Sequence, residues 1–185
     1  MSQVLQLWLP IVVTAVAVFV ASSLIHMVFK WHNSDYMKLG NEDEVRAAVR
    51  ANAPAPGQYI MPHIYDMKEM QTESIQQKYR EGPIAFLTVK ANGDIKMGGA
   101  LSQWFVLNMV IATVAAMLAL QMVGLQGGGN RGGQLVGMFS FFAYGCGGVQ
   151  AAIWMGKPWG SAAKDVIDAL IYGTVSALAF TWLWP

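Results

Sequence analysis

Apolar and polar positions divide this chain into four long apolar runs and one hydrophilic stretch. The runs are Val4 to Phe29, Ala100 to Leu125, Val136 to Met155 and Val166 to Trp184. Each is about as long as the roughly 20 helical residues needed to cross a hydrocarbon core about 30 Å thick. Helices are expected there because a spanning segment must satisfy its own backbone polar groups. The pattern predicts an all-α integral membrane protein with four transmembrane helices. A small mixed α/β cytoplasmic insertion separates helices 1 and 2. In residue numbers this gives helix 1 over 1–29, the insertion over 30–99 and helix 2 over 100–125. An outer Gly-rich loop follows over 126–135, then a helical hairpin, helices 3 and 4, over 136–185. The break Lys157-Pro158-Trp159-Gly160-Ser161 turns the hairpin. The first run lacks a basic leader and exceeds the roughly 7–15 apolar residues of a signal peptide, so it reads as a retained anchor.

Small residues recur at intervals of four in both arms of the hairpin. Helix 3 carries Ala143, Gly147 and Ala151; helix 4 carries Ala169, Gly173 and Ala177. Residues four apart share a helix face, and smooth faces let membrane helices approach closely. The expectation is that these two faces meet.

Charge sets the topology. Of the twelve Lys and Arg residues, only Arg131 lies on the side of the Gln126–Gln134 connection and the termini; Lys157, Lys164 and the rest lie on the other. The excess of basic side chains on cytoplasmic loops then puts both termini outside and residues 30–99 inside, in a cell (inner) membrane. Trp8, Trp182 and Trp184 fall near the outer surface and Trp31, Trp104, Trp154 and Trp159 near the inner one, as expected for rings seated at headgroup level. A net charge of +1 gives no attraction to nucleic acid, and the single cysteine, Cys146, excludes an intrachain disulfide and a Cys-rich metal site.

Within the insertion, Asn41-Glu42-Asp43-Glu44 opens a helix to Arg50, with Asn41 as cap and an acidic first turn. Ala53-Pro54-Ala55-Pro56-Gly57 reads as a linker, and Pro62 as the start of a second helix to about Arg80. Ile84 to Val89, the Asn92-Gly93 turn and Asp94 to Met97 read as a hairpin. The Gly127–Gly133 segment lacks the Lys-Ser/Thr ending of a phosphate loop and reads as a flexible connector.

Candidate chemistry follows from depth. Ser22, Ser23 and His26 of helix 1, Asn108 of helix 2, Gln150 of helix 3, and Asp168 and Tyr172 of helix 4 fall in one inner layer. Ionisable groups inside a membrane are functional candidates by default. His26, Asn108, Gln150 and Asp168 are therefore predicted to converge as a ligand or proton site, with His26 and Asp168 sharing a proton or a ligand. The competing explanation is interhelical hydrogen bonding alone. A lone spanning histidine is weak ground for haem or chlorophyll, and no cofactor is assigned. His63, Asp66 and Glu69 share a spacing of three, which surface charge explains as well as metal ligation does; no metal is expected. His32, beside Trp31, reads as an interfacial residue.

No hydrolase or metalloprotease motif occurs, so an enzyme is not expected. The expectation is an accessory or assembly subunit of a larger membrane complex, for which a respiratory or photosynthetic assembly would serve as host. The alternative is a small homo-oligomeric carrier or channel for a proton, ion or small solute. The partners expected are membrane lipid and either other proteins or further copies of this chain.

Overall fold

The computed structural model describes residues 2–52 and 55–185, so Ala53 and Pro54 of the expected linker lie outside it. A helical turn, α1 (Ser2–Leu5), leads into α2 (Trp8–Ser23), which continues as a π-helical segment, Leu24–Phe29. A 3-10 turn, Trp31–Asp35, follows. Next come α3 (Glu42–Ala51), β1 (Gly57–Met61), a second 3-10 turn (Met67–Gln71), α4 (Glu73–Glu81) and β2 (Ala85–Val89). The chain ends with α5 (Gly98–Val123), α6 (Asn130–Met155) and α7 (Trp159–Leu183). Four helices, Trp8–Phe29, α5, α6 and α7, are long and apolar enough to cross a membrane.

The chain forms two compact units, Met1–Met37 with Lys96–Pro185, and Lys38–Ile95. The first is a bundle of the four long helices. Near the α1 end its core is built from Leu7, Ile11, Val136 and Phe180 against a row of alanines on α5, Ala112, Ala115, Ala116 and Ala119. Alanines leave little between backbones, so α5 lies close to its neighbours. Towards the other end the core changes character, with Val18, Ile25 and Tyr172 packed by Trp31, Trp104 and Tyr144.

The α6–α7 pair is packed through glycine, but not on both of the faces expected. Ala169, Gly173 and Ala177 of α7 do face α6. They meet Gly137, Phe141 and Gly145, not Ala143, Gly147 and Ala151. A Cβ added at Gly137 would lie 2.7 Å from the Ala177 Cβ and 2.8 Å from the Gly173 carbonyl oxygen. At Gly147 it would meet nothing within 4 Å, and Ala143 and Gly147 are exposed. Helix α6 has more than one small-residue stripe, and spacing alone does not choose between them.

The Gly-rich connection is also shorter than expected, because α6 begins at Asn130 and draws Arg131, Gly132 and Gly133 into its first turns. The preceding glycines serve close approach. Trp184 lays its indole over this segment, donates from Nε1 to the Leu125 carbonyl at 2.9 Å, and occupies the space that a Gly128 side chain would fill. At Gly132 a Cβ would fall 2.6 Å from the same ring.

In the second unit, α3 forms as expected, although the Asn41 side chain makes no cap bond. The expected helix from Pro62 is replaced by the 3-10 turn, which Asp66 caps by accepting from the Lys68 amide at 2.9 Å, and then α4. The β2 segment is extended as expected, but its partner is β1, antiparallel, with Tyr59 opposite Leu87; residues 94–97 form no strand.

Candidate functional site

The site is built where the first helix ends. After Ser23 the helix widens into π geometry through Leu24–Phe29, a form found as single turns and frequently at functional positions. Each residue of a wider turn rotates less about the axis, which re-aims His26. Lys30 then takes a left-handed conformation, φ 53°, unusual for a residue with a Cβ. This stops the helix and folds Trp31–Asp35 back against the start of α7, so that the His32 ring lies 4.6 Å from that of His26.

The first turns of α7 supply Ser161, Lys164, Asp165, Asp168 and Tyr172, whose separations of three and four set most of them along one side of the helix. Lys164 Nζ donates to the Trp31 carbonyl at 2.8 Å, to Ser34 Oγ at 2.8 Å and to Asp35 Oδ1 at 2.6 Å. It thereby fastens the 3-10 turn to α7. Ser161 Oγ adds a bond to Asp35 Oδ1 at 3.0 Å. The Lys164 ammonium, helped by His32 and Ser161 and opposed by burial, holds the Asp35 carboxyl down at about 2, so it is ionised at any ordinary pH.

His32 lies between two carboxylates. Its Nδ1 is 2.6 Å from Asp35 Oδ2 and its Nε2 is 2.8 Å from Asp168 Oδ2. Asp168 Oδ2 is also 3.7 Å from His26 Nε2. Asp165 pairs with Lys157 and Asp35 with Lys164. Among the described residues, the two histidines are the only basic side chains within 4 Å of the Asp168 carboxylate. Its other oxygen, Oδ1, is buried and has no partner among them.

A cavity of about 330 Å³ opens beside Asp168, lined also by His26, Trp104, Tyr144, Asp165 and Tyr172. The aromatic rings pack on one another, Tyr144 on Tyr172 at 5.2 Å and Trp104 on Tyr144 at 5.8 Å. Trp104 Nε1 donates to Ser22 Oγ at 2.8 Å, and the Tyr144 hydroxyl donates to Asn108 Oδ1 at 3.0 Å. The Tyr172 hydroxyl and the Asn108 amide nitrogen are buried without partners among the described residues.

Of the four residues expected to converge, His26 and Asp168 meet directly. Asn108 is fully buried and reaches the cavity through Tyr144. Gln150 does not join them. It is exposed and lines a separate cavity of about 490 Å³ with Phe142, Cys146 and Ile153. All four lie in the half of their helix nearer this end of the bundle, but Gln150 is on a different side of its helix from the cavity. His32, Asp35, Ser161 and Lys164 were not expected in the site. The chain reversal at Lys30 that brings His32 and Asp35 in leaves no mark in residue type. A group of three metal-ligand side chains does form, His26, His32 and Asp168, with ligand atoms all within 4.8 Å of one another.

Comparison of the chain with protein-family models, with curated proteins and with solved structures returns no match.

Proposed function

We propose that this chain is a multi-pass integral membrane protein that works as an accessory or assembly subunit of a larger membrane complex. Both termini lie outside, and residues 30–99 face the cytoplasm. The orientation rests on the distribution of Lys and Arg. The observation that carries the subunit reading is the uncommitted face of α6. Gly147 has open space beside it, α7 does not pack on it, and exposed Gln150, one turn on, continues that face. Small residues and side-chain amides are what spanning helices use to bind one another when no hydrophobic gain separates protein from lipid. In the most apolar 18-residue stretch of each of the four helices, no more than 39% is buried within the chain, which leaves room for neighbours.

The test is purification from native membranes in mild detergent, with Gly147→Leu as the comparison. A stoichiometric partner that the parent retains and Gly147→Leu loses supports the reading. A parent that runs only as a free monomer defeats it.

A second reading, a homo-oligomeric carrier for a proton, ion or small solute, draws on the cavity beside His26 and Asp168. It predicts flux into liposomes from the purified chain alone, abolished by Asp168→Asn.

A further inference from the structure

Charge balance singles out Asp168. Three carboxylates, Asp35, Asp165 and Asp168, converge at this end of the bundle, and two lysines answer two of them. The third faces only imidazole nitrogens. His32, meanwhile, has an acceptor on each ring nitrogen. Three arrangements meet both demands: an imidazolium, a neutral imidazole that accepts at Nε2 from a protonated Asp168, or a neutral imidazole with a metal cation between its Nε2 and Asp168.

The surrounding geometry fits the cation. In the neutral ring the Asp35 carboxylate accepts from Nδ1–H, which leaves Nε2 as the lone-pair nitrogen directed at Asp168. A carboxylate behind a ligating histidine is the usual outer partner of such a ligand; it fixes the tautomer and raises basicity. The Asp35 carboxylate is itself secured by Lys164 and Ser161, so the ligand is held by packing as well as by charge.

Four-coordinate zinc has metal–ligand distances of about 2.0–2.2 Å, which put neighbouring ligand atoms about 3.3–3.6 Å apart. Here the His32 Nε2 to Asp168 Oδ2 separation is 2.8 Å and the His26 Nε2 to Asp168 Oδ2 separation is 3.7 Å, which bracket that range. All three ligand atoms lie within 4.8 Å of one another. His32 Nε2 and Asp168 Oδ2, now at hydrogen-bond distance, must part by about half an ångström to admit the ion. His26, whose side chain is 50% exposed and sits beyond hydrogen-bond distance of Asp168, is free to close in. Asp168 Oδ1, buried and unpartnered among the described residues, offers a second oxygen from the same carboxylate.

We propose that His26 Nε2, His32 Nε2 and Asp168 bind one divalent first-row transition ion of the zinc class. Asp35 orients His32, and the remaining coordination position faces the aromatic cavity. Two imidazoles and one carboxylate favour such an ion over calcium or magnesium, which take oxygen ligands. Three protein ligands with an open position make a site that can take a water or an anionic ligand from the cavity, whereas structural zinc is closed by four.

The experiment uses the full chain, purified in mild detergent, stripped with chelator and titrated with Co2+ and then Zn2+. The expected result is one Co2+ per chain with the intense visible absorption of a four- or five-coordinate ion, displaced by Zn2+. His26→Ala and Asp168→Asn should abolish that spectrum. Asp35→Asn should weaken binding by about 10–100-fold, as the loss of an outer carboxylate does. His63→Ala, in the other unit, should match the parent. His26→Ala removes an exposed ring, so its fold is preserved and it decides the matter if a buried-site variant fails to express. Absence of stoichiometric binding, a weak octahedral spectrum, or parental binding by His26→Ala overturns the proposal. None of these outcomes depends on whether a protein partner co-purifies.

Discussion

The glycine contact between α6 and α7 makes a sharp quantitative prediction. At Gly137 a new methyl group would sit 2.7 Å from the Ala177 Cβ and 2.8 Å from the Gly173 carbonyl oxygen. Ordinary van der Waals contact needs 3.4 Å or more, so the helices must part locally by more than half an ångström. The atoms in the way are backbone and Cβ, which cannot rotate aside. Overpacking of this kind costs about 1–3 kcal/mol, and parting the helices loosens the contacts of Phe141 and Ala169 along the same seam. Alanine also removes the flexibility of glycine in a helix, which returns about 0.5–1 kcal/mol. Gly137→Ala should therefore be destabilised by up to about 2.5 kcal/mol net. Gly147→Ala receives the same return with nothing to clash against, and should be neutral or up to about 1 kcal/mol more stable. The assay is reversible unfolding of the purified chain in mixed micelles, both variants beside the parent. Equal stability of the two would refute the assignment of the packing face, and a larger loss at Gly147 would reverse it.

Three further outcomes follow from the bonds described. Lys164→Met strips three acceptors of one donor and leaves Asp35 without its lysine; hydrogen bonds to charged groups are worth about 1.5–3 kcal/mol, and thermal unfolding in detergent should register a loss of that order. Tyr144→Phe leaves both the oxygen and the nitrogen of the buried Asn108 amide unpaired, for about 1–3 kcal/mol, and a further Asn108→Leu change should recover part of it in the same measurement. Trp184→Ala removes the cover over Gly128 and Gly132; large aromatic deletions cost about 3–5 kcal/mol when buried, and the loss here should be smaller because the ring is only half-buried. Limited proteolysis should show new cleavage between Gly124 and Asn130 in that variant.

How much of this was legible depends on which physical signal each feature leaves. The four long helices are written in apolar runs, and their bounds move by only a few residues except at the starts of α6 and α7; α7 begins at Trp159, so Trp159, Gly160 and Ser161 of the expected break are helical. On α6, Asn130 to Gly133 looked like loop because glycine is a poor helix former in water. The Trp184 indole, which gives those glycines their use, lies at the far end of the sequence. Strand β2 was visible from its residues, but its partner was not. The local Asn92-Gly93 turn competed with β1, which lies across α4, and pairing between distant segments has no local mark. On α7, Ala169, Gly173 and Ala177 fall four apart on the side that packs against Gly137, Phe141 and Gly145. On α6, glycines at 133, 137, 145, 147 and 148 offered several small-residue faces. For the site, distance along each helix grouped His26 with Asp168. His32 and Asp35 depend on the π-helical end of the first helix and on Lys30, and residues 24–30 contain no glycine or proline to announce a turn.

The division of the chain at Lys38 and Ile95 has a consequence for how the cluster comes together during synthesis. His26, His32 and Asp35 precede the Lys38–Ile95 unit, whereas Ser161, Lys164 and Asp168 come after two more long helices. A ribosome delivers the first three long before their counterparts, so the cluster cannot close until α7 has emerged. The two groups are complementary halves. Co-expressed fragments divided within residues 38–95 would each be incomplete, and the visible Co2+ band would appear only when the halves find each other. That makes the cluster a built-in reporter of bundle assembly.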